Sequence, residues 1–227
     1  MRRLVLFDID GTLVRGGPAK GAFEQAMRET FGTTGDVQNT SFAGKTDPQI
    51  ARELLEGAGF GAEEIDRGLE RLWPRYLRLL EERLPGRPME VLPGVHELLD
   101  ALRPIEDVAL GLLTGNIEGG ARLKLGSARL WERFRFGSYG SDHEDRDRLP
   151  AIALRRAAEV WGRSFDPCDA IVIGDTPRDI ACGQAGGART LGVATGRYGA
   201  HELVACGADH VLPDLRATED VLAWIAA

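Results

Sequence analysis

The apolar positions of this chain fall into short unbroken runs and longer helical stripes, and the two alternate along most of its length. Leu4-Val5-Leu6-Phe7, Val108-Ala109-Leu110-Gly111-Leu112-Leu113 and Ala170-Ile171-Val172-Ile173 are continuous apolar runs, the pattern of strands buried on both faces of a parallel sheet. Shorter runs at Phe134–Tyr139, Thr190–Val193 and His210–Leu212 extend the strand set. Helical stretches stand between them at His96–Leu102, Ile117–Leu125, Pro150–Trp161, Arg178–Ala185, Ala200–Cys206 and Thr218–Ile225. This alternation predicts right-handed βαβ units around a parallel sheet.

From about Pro18 to Arg87 the pattern changes. Ala19–Phe31 has apolar residues at helical spacing, and Thr46-Asp47-Pro48 is a helix start with a capping Thr or Asp and Pro in the first turn. Glu63–Leu84 is a longer amphipathic stretch in which Pro74 is predicted to kink or split the helix. No convincing strand lies here. The expected fold class is therefore α/β, with a Rossmann-like parallel sheet core over residues 1–15 and 90–227 and an all-helical insertion over 16–89.

The ends of the three long strands carry the chemistry. Asp8-Ile9-Asp10-Gly11-Thr12 follows the first, Thr114-Gly115-Asn116 the second, and Gly174-Asp175-Thr176-Pro177-Arg178-Asp179 the third. Ligands of such sheets bind beyond the carboxyl ends of the strands, where Asp8 and Asp10 can reach one ligand. Thr114 and the amides of Gly115 and Asn116 head a helix, a ready anion site, and the Gly11 and Thr12 amides can serve the same anion from the other side. Asp175 and Asp179, four residues apart at a helix start, turn toward the same opening. An oxygen-only donor set favours Mg²⁺.

In this order, Asp-x-Asp-Gly-Thr, a strand-end Thr and Gly-Asp-x-x-x-Asp resemble the motifs of the haloacid-dehalogenase-like (HAD) hydrolases, and the resemblance spans essentially the whole chain. It implies that Asp8 is a nucleophile forming an aspartyl-phosphate, and that Asp10 protonates the leaving alcohol and then activates water. It also implies Asp8, the Asp10 backbone carbonyl and Asp175 as metal ligands, with Asp179 beside them. The family places a basic residue, usually Lys, before the fourth strand. The three lysines here are Lys20, Lys45 and Lys124, none in that segment, so the role passes to an arginine. Arg146 is preferred, and alignment to the following helix also permits Arg148. The insertion resembles the helical cap of the phosphoglycolate phosphatase and β-phosphoglucomutase branch. Within it Gly44-Lys45-Thr46-Asp47 resembles a substrate loop, with Lys45 as partner for a negative group on the substrate. The cap is expected to act as a lid hinged near Arg15–Pro18 and Leu84–Pro93.

The implied function is a Mg²⁺-dependent phosphatase acting on a small phosphorylated metabolite, phosphoglycolate-like or a sugar phosphate. A phosphosugar mutase of the β-phosphoglucomutase kind is the alternative. A receiver-like phospho-acceptor is disfavoured, because it keeps its aspartyl-phosphate whereas Asp10 serves to hydrolyse one. Lys and Arg number 28 against 35 Asp and Glu, a net charge of −7, which argues against nucleic acid or an anionic membrane as partner. The first strand begins within five residues of Met1 and no apolar run nears membrane-spanning length. A cytoplasmic protein, monomeric or weakly dimeric, is expected. Cys168, Cys182 and Cys206 form no Cys-x-x-Cys pair and read as buried free thiols. Asp142-His143-Glu144-Asp145 reads as a solvated acidic loop.

Overall fold

The computed structural model describes residues 3–227. Its first strand, β1 (Arg3–Phe7), is buried at every position, because it has a parallel neighbour on each side. The chain then passes through a short strand β2 (Val14–Gly16), helices α1 (Ala19–Phe31), α2 (Asp47–Gly57) and α3 (Ala62–Arg83), and a second short strand β3 (Met89–Val91). It continues as α4 (Val95–Leu102), β4 (Val108–Thr114), α5 (Glu118–Ser127), β5 (Gly137–Tyr139) and α6 (Leu149–Trp161). It closes with β6 (Ala170–Gly174), α7 (Pro177–Ala185), β7 (Arg189–Val193), α8 (Ala200–Ala205), β8 (His210–Leu212) and α9 (Thr218–Ala226). Among the described residues six strands form one sheet in the order β5-β4-β1-β6-β7-β8, and every pairing in it is parallel.

Alternation along β1 divides the interior. Val5 and Phe7 join a core with Leu98, Leu99, Leu125, Val221 and Ile225, while Leu4 and Leu6 join another with Leu149, Ala153, Ala157 and Cys182. Helices thus cover both faces, as a parallel sheet requires. Register does the rest of the work for the site. Phe7 stands opposite Leu112 of β4 and Ile173 of β6, so Asp8, Thr114 and Asp175 emerge together at one edge.

The segment between β2 and β3 is helical and adds no strand to the six-stranded sheet. Phe23, Ala26 and Met27 of α1 share a buried cluster with Leu72, Tyr76, Leu79 and Leu80 of α3. Thr46 caps α2, its Oγ1 accepting from the Gln49 amide at 3.2 Å, with Pro48 in the first turn. Of the two outcomes expected at Pro74, a kink or a split, the split does not occur: α3 runs unbroken through it. Pro74 and Glu70 are both exposed, so the carbonyl that loses its partner lies where water can take it.

One feature lies outside the expectations and one expectation changes. The strands β2 and β3 pair antiparallel, Val14 with Val91 and Gly16 with Met89, and Arg15 Nη2 reaches Glu90 Oε1 at 2.5 Å. Three-residue strands beside Gly and Pro present no period to read. All three cysteines are free, but only Cys182 of them is buried, whereas Cys168 and Cys206 are exposed; they lie in a turn and just after a helix end. The acidic loop at 142–145 is at the surface yet pinned. Arg156 holds Asp142 with bonds of 2.6 and 2.7 Å, and Arg52 holds Glu144 at 2.8 Å. Among the described residues no helix is long and apolar enough to cross a membrane.

Gly94 precedes α4 with φ +82°, and a Cβ there would meet the Leu215 carbonyl carbon at 2.1 Å. Gly94→Ala should destabilise the fold by about 1–3 kcal/mol, a fall of roughly 2–12 °C in Tm by calorimetry, with the transition still cooperative.

Candidate active site

The loop after β1 turns sharply at Gly11, which takes φ +87°; a Cβ there would also stand 2.3 Å from Asp175 Oδ2. Glycine is required on both counts. The Asp8 amide donates to the Ile173 carbonyl at 2.9 Å, extending the β1–β6 ladder and setting Asp8 beside Asp175. Thr12 Oγ1 donates to Asp175 Oδ1 at 3.3 Å. From the loop after β7, Thr195 Oγ1 donates to the Gly11 carbonyl at 2.5 Å. Gly196 comes so close to Asp175 that a Cβ would lie 1.7 Å from its Oδ2. Nothing in Ala194-Thr195-Gly196-Arg197 marks these residues beyond an ordinary Thr-Gly turn.

Asp8, Asp175 and Asp179 are buried, and each offers an oxygen within 4.8 Å of the others. Burial, and after it the charge of Asp179, pushes Asp8 up to about 7 and Asp175 up to about 8. Arg146 stands against them, on a turn leading into α6. Its Nη2 donates to Asp8 Oδ1 at 3.0 Å and also to Asp179 Oδ1, and its Nη1 donates to the Gly44 carbonyl at 3.1 Å. Burial opposes the guanidinium charge, but Asp179 and Asp8 outweigh it and hold its pKa above the ordinary arginine value. Its Nε is buried without a hydrogen-bond partner among the described residues. Arg148, two residues on, is exposed, pairs with Asp145 and does not line the cavity.

Asp179 is heavily committed. Its Oδ2 accepts from the Thr176 amide at 2.9 Å and the Thr176 hydroxyl at 2.7 Å, in a capping box that starts α7, while Oδ1 serves Arg146. Asp8 and Asp175 are the carboxylates with more to offer a cation. Oxygen donors with excess buried negative charge fit a hard divalent ion.

Asp10 is held separately. Its Oδ2 accepts from Lys124 Nζ at 2.6 Å and from Asn116 Nδ2 at 2.8 Å. Asn116 Oδ1 also accepts from Lys124, and Asn116 Nδ2 also donates to Thr114 Oγ1 at 2.8 Å. Lys124 was not among the candidates read from the sequence. A signal existed, since it shares the buried stripe of α5 with Gly120, Ala121 and Leu125, where a lysine needs a partner. Asp47 was read as a helix-start residue, yet it crosses from the helical segment to the core. Its amide donates to the Gly115 carbonyl at 2.7 Å and its Oδ2 accepts from the Ile117 amide at 2.8 Å. Burial pushes Asp47 up to about 6, and Lys124 pulls the other way. A Cβ on Gly115 would stand 2.1 Å from the Lys45 carbonyl oxygen, so this approach needs glycine.

A cavity of about 530 Å³ opens over these groups, lined by Asp8, Asp10, Gly11, Thr114, Gly115, Asn116, Arg146 and Asp175 of the core and by Lys20, Lys45 and Tyr76 of the helices. Lys45 pairs with Glu53 there. Thr12 and Asp179 touch the site through Asp175 and Arg146 and are not lining residues.

The HAD-hydrolase-like family profile matches residues 149–218. The phosphoglycolate phosphatase of Xylella fastidiosa is 31% identical over 201 residues, covering 88% of this chain and 83% of that protein. The N-acetylmuramic acid 6-phosphate phosphatase of Pseudomonas aeruginosa is 30% identical over 232 residues, covering 97% and 94%. The chain belongs to the HAD-like hydrolases. Its reaction class within them is that of a phosphatase. A solved β-phosphoglucomutase from Clostridium difficile shares this HAD fold at 20% identity, with a TM-score of 0.72 over 100% of this chain and 98% of that one.

The carboxylates of this HAD site make a stability test. An unfolded carboxyl ionises near pH 4, whereas Asp8 and Asp175 hold protons to about 7 and 8. Between those limits the native state binds more protons than the unfolded one, so metal-free stability should fall as pH rises from 5 to 8. Mg²⁺ at a hundredfold over its Kd should add about 2.7 kcal/mol, or roughly 5–10 °C in Tm. A Tm at pH 8 that ignores Mg²⁺ in a thermal-shift titration would remove the cation from this cluster.

Proposed function

We propose that the chain is a Mg²⁺-dependent phosphatase of a small phosphorylated metabolite, phosphoglycolate-like or a sugar phosphate, that works through a phosphoryl group carried on Asp8. The supporting observation is the division of two carboxylates in one cavity: Asp8 lies against Arg146, and Asp10 lies against Lys124 and Asn116. One acid is set up to attack and the other to move a proton.

In this reading an Asp8 oxygen forms a bond to phosphorus while the bond to the leaving alcohol breaks, and Asp10 gives that alcohol its proton. Asp10 then takes a proton from the water that attacks the phosphoryl group, and Asp8 is released. Arg146, Thr114 and the Gly115 amide hold the phosphate oxygens, whereas, against the expectation from sequence, the Gly11 and Thr12 amides donate to the Val14 and Ile9 carbonyls and the Asn116 amide to Thr114 Oγ1. Asp8, Asp175 and the Asp10 carbonyl would hold Mg²⁺, with Asp179 behind them orienting Arg146. When bound, the ion offsets the repulsion between carboxylate and phosphate. Arg148 drops out of the scheme, being exposed and paired with Asp145. The helices of 16–89 form a cap that excludes water while transfer proceeds. Lys20 and Lys45, lining the cavity, meet a negative group on the substrate. Such an enzyme, cytoplasmic and monomeric or weakly dimeric, needs no other partner.

The test is a panel of phosphorylated metabolites assayed with Mg²⁺ and with excess chelator, on the native enzyme and on Asp8→Asn. Native enzyme should release inorganic phosphate only with the cation, and Asp8→Asn should lose several orders of magnitude while melting as a folded protein. Retention of more than a few per cent of turnover by Asp8→Asn would refute the nucleophile. An isomerised sugar phosphate in place of free phosphate would favour the mutase.

A further inference from the structure

Lys124 lies within the core on the apolar stripe of α5, its side chain 6% exposed. A lysine so placed is costly unless its charge is met. Arg146, not Lys124, bonds to Asp8. The two cations are therefore divided between the two carboxylates of the cavity.

We propose that Lys124 is the positioning residue of Asp10, seated from the cap by Asp47, so that the acid is aimed at the leaving group only when the cap is closed. This rests on the reading of Asp10 as the acid. Both donors to Asp10, Lys124 Nζ and Asn116 Nδ2, bond to the same oxygen, Oδ2. With Oδ2 held by an ammonium and an amide, Oδ1 is the oxygen left free to face the substrate. Asn116 cannot swing away without leaving Thr114 Oγ1 and Lys124. The clamp thereby leaves one oxygen free and fixes its direction.

Asp47 makes the clamp conditional. It belongs to the first turn of α2 and bonds to the Gly115 carbonyl and the Ile117 amide, at the start of the helix that carries Lys124. Its charge acts on Lys124 together with that of Asp10. Tyr76 of α3 is buried and lines the same cavity. With the cap lifted, Asp47 and Tyr76 leave. Lys124 then loses one of the three carboxylate charges acting on it, those of Asp10, Asp47 and Asp8, and gains water, which loosens its hold on Asp10.

Steady-state kcat/KM in Mg²⁺ on an alkyl phosphate and on p-nitrophenyl phosphate tests this, because a good leaving group needs little acid. Lys124→Met should lose about 10²-fold on the alkyl ester and less than tenfold on the aryl ester. Lys124→Gln, which keeps a donor and is gentler on the fold, and Asp47→Asn should show the same split to a smaller degree. Asp10→Ala, run alongside, separates the two claims. If Asp10→Ala shows the split while the Lys124 and Asp47 variants lower both substrates alike, the positioning role is overturned and the acid stands. If Asp10→Ala itself lacks the split, the reading of Asp10 falls and takes the proposal with it.

Discussion

Mutual repulsion among carboxylates gathered beyond β1 and β6 is the constraint around which the rest of this protein is arranged. Three of them lie within 4.8 Å of one another and out of water, a placement that costs several kcal/mol per unmatched charge. Only a rigid frame can hold them so. The central position of β1, the continued ladder at Asp8 and the two glycines that let backbone approach Asp175 supply that frame. Burial first, and then the excess charge that Arg146 leaves unanswered, is why Asp8 and Asp175 keep protons above the ordinary carboxylate range.

Both buried cations of the site feel the helical segment, one by contact and one by charge. Arg146 donates to the Gly44 carbonyl, and Lys124 shares its surroundings with Asp47. Residues 44–47 form one loop leading into α2, packed on Gly115 with no room for a side chain there. The same loop is anchored to the core by Thr46 Oγ1, which donates to the Glu144 carbonyl at 2.7 Å. A single stretch of four residues thus reports the state of the helices to both halves of the site.

Most of the core could be read directly from the chain, because continuous apolar runs have few alternatives in a sheet covered on both sides. The acids could be read because carboxylates at strand ends serve no folding purpose. What escaped has a common cause in distance along the chain. Lys124 acquires its meaning by meeting Asp10, and Asp47 by meeting Ile117, across 114 and 70 residues, and Thr195 and Gly196 by meeting residues near the other end of the chain. Arg146 and Arg148 were inseparable by spacing, since a 3₁₀ turn sends neighbours in different directions and only burial distinguishes them. Pro74 left kink and split open, because the rule against proline in helices does not say whether water can reach the orphaned carbonyl.

The ribbon of β2 and β3 has a consequence of its own. The chain leaves and re-enters the core on adjacent rungs, Gly16 beside Met89, so the whole helical segment is a loop closed at its base. A two-stranded base twists as one piece, which gives the helices a single axis of rotation rather than two independent tethers. It also makes the segment modular. A different run of residues spliced between Gly16 and Met89 would leave every strand of the main sheet where it is, so the pocket roof can be exchanged while the acids beneath it stay in place.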